Sequence, residues 1–285
     1  MSNFYTFVSG NEDVLSCKIQ QFKKNDIKNA INSEKPDVIY GSIGKCAIDY
    51  INKTITKTVK IDINKITNQM NFLNGFTKIF MKPNPIFKQL AEDIKLEVDL
   101  INEYKMLNEF YKTWKDVHPN IKVPKPIGKE NSESLCMEYH DWKQLDYYEE
   151  IPNDILKLIR MFFLDSVNKY YLIHGDMSFY NILVSPDLKS ICVIDYGLSK
   201  KMIESDYREL NDMKSNTTLF GSMLSKAWDD ENHKFDKVWE KKFNEAFSIN
   251  QDHKILVPEF SVIFIRSLLN LTQIMFKYQK NIDIV

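Results

Sequence analysis

Glycine is scarce in this chain: 8 residues are present, where average usage over 285 residues would supply roughly 20. A glycine kept in so lean a composition needs a backbone reason. Four of the 8, Gly41, Gly44, Gly175 and Gly197, fall in the segments to which the chemistry is assigned below. Cysteine is also sparse. Cys17, Cys46, Cys136 and Cys192 are far apart, with no C-x-x-C pair and no metal-like spacing, which excludes a disulfide framework and a zinc ribbon. Reduced, buried thiols and a cytoplasmic location are expected. An excess of one charge is missing too, because 38 basic residues meet 39 acidic ones for a net charge of -1. That balance gives no long-range attraction to nucleic acid or anionic lipid. No nucleic-acid partner is therefore expected, while a peripheral membrane contact through a local patch stays open. The most apolar stretch, Phe260 to Phe276, is interrupted by Arg266, Asn270 and Gln273. It reads as a buried or amphipathic helix and no transmembrane segment is expected. The opening MSNFYTFVSG has neither a basic start nor a sustained apolar core, so no signal peptide is expected.

What is present is an ordinary globular composition, 44% hydrophobic and 27% charged. Residues 1–35 are polar and Lys/Asn-rich, with a weak helical pattern around Val14 to Ile31, and are set aside as an N-terminal extension. From there the pattern turns to strand: Val38 to Tyr40, Lys45 to Ile51 and Ile55 to Ile61, with Asn52-Lys53 as a hairpin turn. Residues 62–82 read as an insertion with mixed signals. Asn84 as cap and Pro85 at the first position then open a long helix, its apolar residues running at helical period as far as Trp114. Strands follow near Lys125 to Lys129 and Ser134 to Tyr139. A helix covers Ile155 to Tyr171, and the strands Asn181 to Val184 and Ile191 to Ile194 flank a Pro186-Asp187 turn. The remainder is mostly helical. The prediction is an α+β fold of two lobes: a small β-rich N-lobe with one inserted helix over 36–140, and a mostly helical C-lobe over 141–285, with a cleft near Met137 to Trp142.

The segment from Leu172 to Val184 holds His174-Gly175-Asp176 and, five residues after the aspartate, Asn181. Farther on, Val193-Ile194-Asp195-Tyr196-Gly197 places a second carboxylate at a strand end, before a glycine. Phosphoryl transfer asks little covalent chemistry of a protein. It needs a group that accepts the acceptor's proton and oxygen ligands that hold Mg²⁺ against phosphates. Asp176 suits the first role, and Asn181 and Asp195 the second. Either tripeptide alone is unspecific, and both aspartates could instead cap turns with Asn181 starting a strand. Together, in this order and at this spacing, they specify much more.

Lys60, in Thr58-Val59-Lys60-Ile61, points away from the face of its apolar neighbours. By itself it is as well read as a solvated lysine, but beside the downstream motif it is the candidate α/β-phosphate lysine. Glu103 lies on the stripe of Leu96, Leu100 and Leu107, and a carboxylate on a buried face is costly unless paired. Lys60–Glu103 is the expected ion pair, with Glu97 and Asp99 as competitors. Gly41-Ser42-Ile43-Gly44-Lys45 sits between the first two strands, where a phosphate-covering loop would turn. It lacks the first glycine of a P-loop, and Cys46 stands where Ser or Thr is required. It reads as a flap over phosphates or as a plain hairpin turn. Met137-Glu138-Tyr139-His140 follows an apolar strand, and the backbone of Glu138 and His140 is placed to pair with an adenine edge.

These residues resemble the protein-kinase-like superfamily, and within it the UbiB/ADCK family of atypical kinases. The resemblance runs from about Tyr40 to Lys200. It is carried by Gly41-Ser42-Ile43-Gly44, the insertion before the glutamate helix, Glu97-Val98-Asp99 followed by Glu103, Val123-Pro124 before Leu135 to Glu138, and the two aspartate segments. It implies ATP and Mg²⁺ as cofactors, a Lys60–Glu103 pair, Asp176 as the catalytic carboxylate, and Asn181 and Asp195 as metal ligands. Several departures stand out. The family's K-x-G-Q motif is absent, Gly41 stands where its loop favours Ala, and its H-A-D-P-H-P-G-N loop is replaced by one beginning His174-Gly175-Asp176. Ser178 occupies the position where ordinary protein kinases keep Lys, and no A-P-E follows Gly197. The expected activity is an ATP- and Mg²⁺-dependent phosphotransferase or ATPase, its acceptor a lipid-related small molecule or a protein. The alternatives are an atypical Ser/Thr protein kinase and a pseudokinase acting as a nucleotide-responsive binding module.

Overall fold

The computed structural model describes residues 38–40, 44–59, 99–215, 238, 241–242 and 259–279. The N-terminal extension, the 62–82 insertion, Gly41, Ser42, Lys60, the Asn84-Pro85 helix start and Glu97 lie outside them. In chain order the elements are β1 (Val38–Tyr40), β2 (Gly44–Asp49), β3 (Thr54–Val59) and helix α1 (Leu100–Trp114). Next come β4 (Ile121–Lys122), β5 (Pro126–Ile127), β6 (Ser134–Glu138), β7 (Lys143–Gln144), a 3-10 turn (Leu145–Tyr147) and α2 (Asn153–Tyr170). The series ends with β8 (Leu172–Ile173), β9 (Ile182–Val184), β10 (Ile191–Val193), β11 (Lys200–Lys201), α3 (Glu204–Ser215) and α4 (Glu259–Gln279). The mixture is the α+β class that the sequence predicts. Two compact units result: residues up to Lys105 with Lys125–His140, and Met106–Pro124 with Asp141 onward.

The first unit is built on a five-stranded sheet in the order β1-β2-β3-β6-β5. β2 and β3 form the expected hairpin, pairing Gly44 with Val59 and Asp49 with Thr54. Its turn is closed by Asp49, whose Oδ1 accepts from the Ile51 and Asn52 amides at 3.0 Å each. Those bonds, that from Asn52 foremost, hold the Asp49 carboxyl below its ordinary pKa. Lys53 completes the turn at φ 51. Along β3 the side chains alternate, so Ile55, Lys57 and Val59 share one face and Thr54, Thr56 and Thr58 the other.

Helix α1 starts later than its hydrophobic period suggests. Asp99 is its N-cap: the Asn102 amide donates to Asp99 Oδ1 at 3.0 Å, and the Glu103 amide donates to the Asp99 carbonyl at 2.9 Å. The helix predicted from Pro85 onward therefore does not run unbroken through residue 99. The missed signal is a capping residue inside the apolar stripe.

In the second unit, β4, β10, β9 and β7 make a four-stranded sheet, with β4 parallel to β10. β8 and β11 pair separately, Ile173 opposite Lys200. The core beneath is aromatic. Phe110 and Trp114 of α1 lie 5.8 and 4.9 Å from the Phe162 ring of α2, and Tyr196 is 4.8 Å from both Phe110 and His174. The buried indole N–H of Trp114 donates to Ser166 Oγ at 3.0 Å, as a buried Trp donor requires. Helix α4 covers the expected apolar stretch and buries Phe264 6.0 Å from Phe163 of α2. Among the described residues no helix is long and apolar enough to cross a membrane.

Candidate functional site

The candidate residues fall into two groups, one in each unit. In the first unit, Glu103 is 1% exposed on α1. Its two oxygens accept from a single ammonium at 2.9 and 2.8 Å, and that ammonium belongs to Lys57. Glu103 thus meets Lys57, and the expected partner Lys60 lies outside the described residues. The physical reason is the strand period: Lys57 lies on the face of Ile55 and Val59, opposite Cys46 and Leu135 in the neighbouring strands, and Leu135 is buried. The legible signal was a lysine at an apolar-face position, which must be paired to be tolerated. Asp99, named as a competitor for the lysine, is exposed and committed to capping α1.

Of the expected nucleotide-contacting residues, Gly41 and Ser42 lie outside the described residues, and Gly44 begins β2 opposite Val59. Met137 is buried in β6. The Glu138 N–H donates to the Lys125 carbonyl at 2.9 Å and the Tyr139 N–H to the Lys53 carbonyl at 2.8 Å. A base edge at Glu138 would therefore have to be met by the carbonyl. The His140 ring lies 3.6 Å from Glu138 Oε2.

In the second unit, the Asp176 loop leaves β8 and the Asp195 loop leaves β10. Pairing of β8 with β11 closes them on each other. His174 sits at the centre and is fully buried, so desolvation lowers its pKa from 6.5 to about 4. The neutral ring has a defined tautomer: Nε2–H donates to the Ile194 carbonyl at 3.1 Å, while Nδ1 accepts from the Asp176 amide at 3.3 Å. One imidazole thereby ties the backbone before Asp195 to the backbone of Asp176. Ser199 Oγ donates to the His174 carbonyl at 2.7 Å and adds a second tie. Between them Gly175 adopts φ +85, and a Cβ there would lie 2.1 Å from the Leu198 carbonyl oxygen. The glycine is required by both conformation and space.

Asp176 is half-buried, and hydrogen bonds to both its carboxylate oxygens come from side-chain amides. Asn181 Nδ2 donates to Oδ2 at 2.8 Å and to the Asp176 carbonyl at 2.9 Å. Asn270 Nδ2, from α4, donates to Oδ1 at 2.9 Å. Turn-capping carboxylates find their partners within their own turns, where Asp49 Oδ2 also accepts from the Asn52 side-chain amide at 2.7 Å. Asp49 and Asp187 accept from backbone amides two or three residues along their own turns. Because Asn181 Nδ2 faces two acceptors, its amide orientation is fixed, and Oδ1 is the oxygen turned elsewhere. Asp195 is exposed and holds φ 67, a left-handed conformation unusual outside glycine.

The donor set fits Mg²⁺. One carboxylate and one amide oxygen are hard ligands of the number this ion takes from protein when phosphates and water complete its shell. Among the described residues there is no group of three or more His, Cys, Asp or Glu side chains that could hold a metal alone. Asn270 was missed in the sequence because its partner is 94 residues away; the available signal was a polar amide interrupting an apolar helix.

Comparison with known proteins bears on this arrangement. Among solved structures, the chain is similar to Rv3197 from Mycobacterium tuberculosis, determined as a complex with erythromycin. Identity is 16% over 83% of this chain and 71% of that one, with a TM-score of 0.60, a likeness of fold. It is also similar to the Rio2 kinase of Chaetomium thermophilum, determined as an ADP/Mg²⁺-phosphoaspartate complex, at 15% identity over 80% of this chain and 76% of that one, TM-score 0.38. The profile of the ABC1 atypical kinase-like domain matches residues 42–219. That match spans the Lys57–Glu103 pair and both aspartate loops, and the chain belongs to the ABC1 atypical kinase-like domain family.

Proposed function

We propose that the chain is an ATP- and Mg²⁺-dependent phosphotransferase of the atypical kinase type, acting on a hydroxyl of a lipid-related small molecule or a protein. The observation that carries this reading is the Asp176 carboxylate, held at both oxygens by side-chain amides in a loop tied by His174 to the Asp195 loop. Asp176 accepts the acceptor's proton as its oxygen takes the γ-phosphoryl group, ADP leaving. Asn181 Oδ1 and Asp195 would hold Mg²⁺, which when bound would neutralise phosphate charge. The Lys57 ammonium, oriented by Glu103, is the phosphate-facing cation of the first unit. Gly41, Ser42 and Gly44 cover the phosphates, while Lys60 has no assigned role in this reading. The adenine is met by the strand end at Met137, Glu138 and His140.

ATP consumption and phosphate transfer to added acceptors test it. With Asp176→Ala, kcat should fall roughly 100- to 10,000-fold while Mg²⁺-ATP still raises the melting temperature. Equal turnover in parent and variant would sink the enzyme reading and leave the pseudokinase alternative.

A further inference from the structure

We infer that Asn270 is a positioning residue for Asp176, so that helix α4 sets the orientation of the proton-accepting carboxylate. The inference rests on the reading of Asp176 as the base and deepens it.

Rotation of an aspartate carboxylate about its last torsion is soft and nearly two-fold. A donor at one oxygen alone leaves the plane of the group free to swing. In this loop Asn181, five residues along, fixes Oδ2 at 2.8 Å, and Asn270, 94 residues along, fixes Oδ1 at 2.9 Å. Two donors on two oxygens define the plane, and each oxygen keeps lone-pair capacity for an incoming hydroxyl. Ser178, two residues past Asp176, contributes its backbone N–H to the Asp176 carbonyl at 2.9 Å. The Oδ1 donor is brought by α4.

The location of Asn270 argues against an incidental contact. It lies inside a 21-residue helix and is followed by the buried Leu271. Asparagine is a poor helix former at such a position, and no cap is needed there. The Asn270 side chain is half-buried, and its amide N–H is directed at Asp176.

Asn270→Leu removes the donor while improving helix propensity, and Asn270→Ala serves as a second variant should the larger side chain disturb packing. For the full chain, kcat should fall roughly 10- to 100-fold with KM for ATP at the parental value. A packing defect would instead lower melting temperature without that split. A second readout needs no turnover: melting temperatures of the parent, Asn270→Leu, Asp176→Ala and the double variant form a cycle. The two changes should be non-additive. Parental kcat in a folded Asn270 variant, or additive shifts in the cycle, would overturn the inference. If the parent shows no turnover at all, the phosphotransferase reading fails, and the cycle alone decides whether Asn270 holds Asp176.

Discussion

Glu103 and Asp176 are two carboxylates held in opposite ways. Glu103 is 1% exposed and meets an ammonium through both oxygens. Asp176 is half-buried and meets two amides, one oxygen each. An ammonium cancels charge and makes the pair a fixed unit, costly to break because a buried charge is left behind. An amide orients a carboxylate while adding no charge of its own. The first arrangement suits a carboxylate whose task is to aim a lysine. The second suits one that must face a proton donor and take its proton.

The contrast breaks first, and most severely, at Gly175. Gly175→Ala drives a Cβ against the Leu198 carbonyl in a left-handed conformation. It should cost about 3 kcal/mol in urea unfolding and disable the Asp176 loop. Unfolding free energy within error of the parent would show that the loop can relax.

Acid should act on the second unit through His174. Its folded pKa, about 4, lies below the unfolded value of 6.5, so the unfolded chain takes up the proton first. Stability from this group is complete above pH 6.5, is lost as pH falls toward 4, and is flat below. The loss is about 3 kcal/mol. In His174→Gln the decline of stability over that window should be shallower. An unchanged slope would contradict the buried neutral imidazole.

A smaller effect is expected in the first unit. Lys57→Met removes an ammonium from the buried Glu103 carboxylate and should destabilise by about 2 kcal/mol, below the fully buried case because the lysine side chain is 21% exposed. Adding Glu103→Leu should recover most of that loss, since an apolar pair replaces an ion pair at little cost. Failure of the double change to recover stability would mean that the pair does more than satisfy its own charges.

The sequence was most readable where chemistry is packed into consecutive residues. Asp176, Asn181 and Asp195 lie in short loops bounded by strands, so their spacing alone brings them to notice, and the structure sets Asn181 against Asp176. Lys57 was harder. Choosing between Lys57 and Lys60 requires knowing which face of β3 is covered, and the threonines on the other face leave that open until α1 is in place. Asp99 was named as a competitor for the lysine when it caps the start of α1, because a cap and an exposed helical carboxylate look alike in sequence. Asn270 was out of reach for a different reason: its partner is distant in the chain, and a lone amide in an apolar helix names no partner.

The most direct test of the account is thermal unfolding with and without ATP, in Mg²⁺ and in EDTA, for the parent and Asp195→Asn. The account predicts a rise in melting temperature with ATP that needs Mg²⁺ and is lost in the variant. No rise at saturating ATP, or a rise of equal size in EDTA and in Asp195→Asn, would contradict a metal-nucleotide site built on Asp195.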